Sequence, residues 1–166
     1  MLEKDDIKAI TQMRDRQLRQ LHQCWQVTRW MKLTEEKYYA FAHPLLGITF
    51  AKELGDDAEE ALQKLIDYCS GWQKHQSSYA LRYYPEHLRD SEQWDDLYGL
   101  LHNFEFIEAK VNHAEIGVEA LIQDYALIET RGLSNFSNEK KQIIETLQLI
   151  QGALRLSAHV LFHRRK

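Results

Sequence analysis

Only two prolines and seven glycines punctuate the 166 residues, and the glycines stand singly. A sheet-rich sandwich of this length needs many tight turns, and the residues that make them are missing. The chain is therefore expected to be mainly α. Apolar residues make up 44% of it, enough to bury a core and too many for a disordered chain. The same scarcity of glycine excludes a phosphate loop, since Gly-x-x-x-x-Gly-Lys-Ser/Thr occurs nowhere.

Along the chain, Leu2 to His22 reads as one amphipathic helix, with Ile7, Ile10, Leu18 and Leu21 near helical spacing. The period then changes. Cys24 to Leu33 and Tyr38 to His43 are aromatic-rich runs joined by Thr34-Glu35-Glu36-Lys37, the pattern of a β-hairpin. A helix followed by a hairpin is the end of a winged-helix unit, so 1–43 is expected to be part of one. From Pro44 the pattern is helical. Pro44 suits a first turn and Gly55 a helix end.

Asp56 or Asp57 caps the next helix, striped with Ala58, Ala61, Leu62, Leu65, Ile66, Cys69 and Trp72. Further helices are expected over 77–88, kinked or broken at Pro85, after the cap Ser91, and, beyond an interruption at Asn103, over Phe104 to Asn112. In the helix from Phe104, the aligned positions are Phe104, Ile107 and Val111. Glu115 to Glu129 makes another helix, and Thr130 to Ser137 is a loop. The last helix starts at Asn138 with a seam of Ile143, Leu147, Ile150, Leu154, Ser157 and Leu161. Short helices joined by short loops pack as antiparallel hairpins, in a bundle or a short solenoid-like array over 44–166.

Charge and targeting narrow the function classes. The net charge of −4 argues against a dedicated nucleic-acid binder. A winged-helix regulator would have to rely on Lys8, Arg14, Arg16 and Arg19, which are interspersed with Asp5, Asp6 and Asp15. The charged N-terminus resembles no signal peptide, and no stretch of about 18 apolar residues would span a membrane. A cytoplasmic location is expected. Cys24 and Cys69 form no disulfide framework, and Cys69 lies on an apolar stripe.

Catalytic chemistry finds little footing. His159 and His163 are four apart but lack an evident third metal ligand. Arg82 and His87 could pair phosphate binding with acid–base work, as in some all-helical ribonucleases, although Pro85 lies between them. The cluster Tyr79, Tyr83, Tyr84, Trp94 and Tyr98 suits helix packing and, at its surface, a partner. No catalytic, cofactor or metal residues are therefore assigned.

One long run carries a resemblance. Tyr79-Ala80-Leu81-Arg82-Tyr83-Tyr84-Pro85-Glu86-His87-Leu88 leads to Trp94-Asp95-Asp96-Leu97-Tyr98 and to Phe104-Glu105-Phe106-Ile107-Glu108-Ala109-Lys110-Val111. Leu121-Ile122-Gln123-Asp124-Tyr125 and Ala153 to Leu161 complete it. Over roughly 38–162 the chain resembles the C-terminal helical domain of the apoptotic protease-activating factor family. In STAND-class signalling NTPases with NB-ARC or NACHT cores, that segment commonly precedes WD repeats.

The resemblance implies a non-enzymatic linker and interaction module, cut from something larger. Its partners would be an NTPase core and a WD-repeat propeller, and it would position that sensor and support an autoinhibited state. His43, Trp94, Asp95, Phe104, Lys110 and His159 match the pattern. Trp94, Leu97, Tyr98, Phe104, Ile107, Tyr125, Leu154 and His159 are expected as packing or interaction anchors. Lys110, also an anchor, and Asp95 are expected in surface ion pairs.

Overall fold

A computed structural model describes the backbone of residues 2–34, 38–128 and 138–163. It describes the side chains of the same residues except 33, 34, 38, 44, 51, 138, 139 and 158–163. The fold is mainly α, with a small antiparallel sheet. Two compact units divide the chain, Met1–Gly71 and Trp72–Lys166, whereas the sequence pattern places a boundary at 43/44. The two helices that directly follow His43, ending at Ser70, lie against N-terminal elements of the first unit.

The first unit opens with strand β1 (Leu2–Glu3), followed by helices α1 (Lys4–Thr11), α2 (Asp15–Gln23) and α3 (Trp25–Trp30). Strands β2 (Met31–Thr34) and β3 (Tyr38–Phe41) form the hairpin, with Lys32 opposite Ala40. β1 pairs with the other edge of β3, Leu2 opposite Tyr39, so the strand order is β1-β3-β2. Helices α4 (Pro44–Leu54) and α5 (Asp56–Ser70) complete the unit, α4 lying against β3 and α5 against α1.

The expected single helix over Leu2 to His22 is in fact two. Gln12 takes a left-handed conformation, φ 57°, and ends α1. The Gln17 side chain then accepts a hydrogen bond from the Arg14 amide at 2.9 Å, which starts α2. Cys24 to Leu33 is also not one strand. Trp25–Trp30 is helical despite its aromatic and β-branched residues, because β propensity yields to context.

Local chemistry explains most other boundaries. The His43 side chain accepts from the Leu45 amide at 3.2 Å, and Pro44 fills the first turn of α4. Gly55 separates α4 from α5 with φ 51° and ψ −124°, a conformation that side chains oppose. Asp56, Asp57 and Glu59 then lie near the positive end of α5. Leu18, Ile66 and Cys69 are buried in this unit. The carboxylate of Asp6 is buried too, accepting from the Tyr68 hydroxyl at 2.5 Å and from the Glu3 amide at 2.8 Å.

The second unit holds α6 (Trp72–His75), α7 (Ser78–Asp90), α8 (Trp94–His102), α9 (Phe104–Asn112), α10 (Gly117–Ala126) and α11 (Asn138–His163). α7 packs on α8 and also on α9 and α10, and α8 on α11. Such contacts between non-neighbours make it a bundle around one core. Pro85 neither breaks nor interrupts α7, and it is buried there. Ser91 does not cap α8. Its hydroxyl instead donates to the carbonyls of His87 and Leu88 at 2.9 and 3.1 Å, closing α7. Ser77 and Asn103 are true N-caps, each accepting from two amides of the following turn. The expected loop over Thr130 to Ser137 lies outside the described residues.

Candidate functional site

Two polar residues lie where the helical stripes demand apolar ones. Lys110 is four residues after Phe106 on α9, and Asp124 is three after Leu121 on α10. Both stripes face the core, so both polar side chains are carried inward. There the ammonium and the carboxylate form an ion pair, with side chains 0% and 5% exposed. The Phe106 ring lies 5.7 Å from the ammonium, and Trp72 packs edge-on against that ring at 5.2 Å. Beside the pair, the Tyr125 hydroxyl donates to the Leu101 carbonyl at 2.8 Å, tying α10 to α8.

Electrostatics follow from dryness. Burial pushes the Asp124 carboxyl up to about 7, against the opposing pull of Lys110. Burial likewise lowers Lys110, and Asp124 resists that shift. Burial, and next the Asp124 charge, push Tyr125 up to about 12. Removing either member of the pair would strand a charge in a medium that cannot solvate it.

Lys110 is thus not in a surface ion pair; it is a core residue, and that expectation is corrected. Phe104 is corrected as well. It is 72% exposed, whereas Phe106 is fully buried, so α9 faces its neighbours about one residue away from the expected stripe. The rotation places Phe106 and Lys110 inward together. The expected seam of α11 is kept at Leu147, with Ile150 and Leu154 half-buried, and differs towards its ends. Ile143 is 39% exposed, Ser157 is exposed, and Ile144 and Leu147 are the buried positions.

Leu97, Tyr98 and Tyr125 are buried; Ile107, Leu154 and Trp94 are half-buried, Trp94 against Tyr98 with ring centres 6.5 Å apart. Asp95 is exposed and pairs with Lys140 at 2.6 Å. The side chains of His159 and His163 lie outside the described residues.

The chemistry-bearing groups of α7 are engaged within the fold. His87 shares a hydrogen bond of 2.8 Å with the Tyr79 hydroxyl, and burial lowers its pKa against the pull of Asp90. Arg82 donates to the Glu115 carbonyl at 2.8 Å. Arg82 and His87 stand five positions apart, about 140° around a helix, and the structure aims them at different partners. An open cleft of about 610 Å³ is lined by Trp72, Gln73, Leu81, Glu105, Glu108 and His113. Its Glu105 accepts from Gln73 at 2.9 Å. Among the described residues, no three His, Cys, Asp or Glu gather as metal ligands, and no helix is long and apolar enough to cross a membrane.

Sequence reasoning overlooked Asp124 and Phe106. The signal was available: a lone acid inside an apolar stripe and a lone cation inside the next one. Compared with models of protein families, with curated proteins and with solved structures, the chain finds no match.

Proposed function

We propose that the chain is a non-catalytic helical linker and interaction module of a STAND-type signalling NTPase. In this reading it positions a WD-repeat sensor against the NTPase core and supports the autoinhibited state in the cytoplasm. The observation that carries the reading is where the family-like run is spent. Lys110 is bonded to Asp124, Tyr125 to Leu101, His87 to Tyr79 and Arg82 to Glu115. Two of these bonds, Lys110 with Asp124 and Tyr125 with Leu101, join different helices, so residues of the recognisable run hold helices together. A rigid packed body of this kind can pass a displacement from one neighbour to another. The N-terminal arrangement, with β1 before three consecutive helices, the β2–β3 hairpin after them and strand order β1-β3-β2, supports the winged-helix expectation for this segment.

The test uses the purified chain and a recombinant NB-ARC-type NTPase core from a frame adjoining its gene, loaded with ADP; the absence of such a frame also counts against the proposal. Sedimentation velocity should show a one-to-one complex, and nucleotide exchange from the core should slow. ATP hydrolysis by the chain alone, or no complex with the core, overturns the proposal.

A further inference from the structure

Helix α11 is apolar on two opposite faces. Ile144 and Leu147 are buried on one of them, which packs on α10 and α8. The Gln151 side-chain amide donates to the Ile122 carbonyl of α10 at 3.4 Å. Leu149 and Leu156 stand about 180° around the helix from Leu147. They are 75% and 78% exposed, and Gly152 and Ala153 between them are exposed as well. The four positions fall within about 100° of one another, so they make one stripe about two turns long. A helix in water spends one apolar stripe on its own core; a second, contiguous one marks a contact surface.

The order of residues in the stripe points to what covers it. Leu149, Gly152, Ala153 and Leu156 run large, small, small, large, and the pattern reads the same in both directions. A surface that reverses onto itself meets the requirement of a two-fold contact, in which residue i touches j and j touches i. Laid antiparallel on a second copy, Leu149 of each helix faces Leu156 of the other, and Gly152 and Ala153 meet at the crossing. Open space surrounds the place that a Cβ of Gly152 would take. Small residues there let two helix axes approach to about 8 Å, the short end of the usual range. Charge chooses the same orientation. Glu145 and Arg155 are exposed beside the stripe. Reversal carries Glu145 of one copy towards the Arg155 half of the other and opposes the helix dipoles, whereas parallel pairing sets like charge against like.

We infer that the chain forms an antiparallel homodimer across this face of α11. Two leucines bring on the order of 200 Å² of apolar surface to each side. The crossing and the polar flanks bring about as much again, which makes about half of the roughly 800 Å² per partner in a standard interface. The dimer is therefore weak and reversible. It requires no NTPase core, so it stands or falls separately from the function proposed above.

The experiment is sedimentation velocity of the full chain alone, from about 5 to about 500 μM, the range in which so small an interface associates. The native chain should pass from monomer to dimer as concentration rises. Leu149→Glu and Leu156→Lys, each alone, should associate at least tenfold more weakly. Phe104→Ser, which removes an exposed phenylalanine from α9, should match the native chain. Mixed one to one, the Leu149→Glu and Leu156→Lys proteins should dimerise again, because an antiparallel contact sets the new carboxylate against the new ammonium. Circular dichroism should show equal helix content in the native chain and the three variants. A monomer across the whole range overturns the inference. So does dimerisation that survives both leucine changes, equal weakening by Phe104→Ser, or a mixture that stays monomeric, as a parallel contact or another occupant of the face would leave it.

Discussion

The ammonium of Lys110 on α9 meets the carboxylate of Asp124 on α10 inside the helical unit, almost wholly out of reach of water. Such a pair is valuable chiefly as a pair. Asp124→Ala should cost about 3–5 kcal/mol, because it leaves the ammonium buried and uncompensated. The double change Lys110→Met/Asp124→Leu should cost far less than that single change or even stabilise, since neither charge then needs solvation. Urea unfolding of the three variants against the native chain checks the order. A double variant as unstable as Asp124→Ala would show that the pair holds the bundle by attraction rather than by mutual compensation.

The raised pKa of Asp124 has a pH consequence. Its folded value of about 7 lies above the ordinary carboxyl value of about 4, so the folded state binds the proton more tightly. The associated stability is fully present below about pH 4 and is lost as pH rises towards 7. The stability of the native chain relative to Asp124→Asn should therefore fall across that window. Denaturant midpoints of the two proteins at several pH values give the measurement, and a rise over the same range would contradict the assigned direction.

Two glycines should respond in opposite ways to alanine. Gly55 has open space around a would-be Cβ, but its φ of 51° penalises any side chain. Gly55→Ala should cost about 1–3 kcal/mol. Gly152, inside α11, also has open space and carries no such penalty. Gly152→Ala should stabilise by about 0.5–1 kcal/mol, the helix-propensity gain. Thermal melts would separate the two signs.

Cys69 should be chemically silent in the folded protein. It is fully buried, and burial, with Asp6 adding to it, pushes the thiol up to about 12. Cys24 is half-buried. A thiol-specific disulfide reagent should therefore label one cysteine in the native chain and both in denaturant. Peptide mapping that finds Cys69 labelled in the native chain would show that α5 opens readily.

Helix ends were the most legible part of the fold. Pro44 after His43, Gly55, Ser77 and Asn103 each act through atoms within three residues of themselves, so a linear sequence holds the whole cause. Helix faces were less legible. In α9, the choice between Phe104 and Phe106 depends on which neighbour the helix meets. Both phenylalanines fit a helical period, and only one can turn inward. The break at Gln12 and the helix over Trp25–Trp30 escaped for a similar reason, since neither place carries a glycine or proline.

By itself, the sequence determined that this chain is mainly α, where most helices begin, and that a hairpin interrupts them near residue 35. Those properties rest on local sterics, caps and periodicity. The tertiary structure alone decided that Lys110 is a core residue, because its partner Asp124 comes from another helix. It decided likewise that Asp6 is buried, because Tyr68, sixty-two residues later, satisfies it. A buried charge is tolerable only where a second group compensates for lost water, and that group is found in space rather than along the chain.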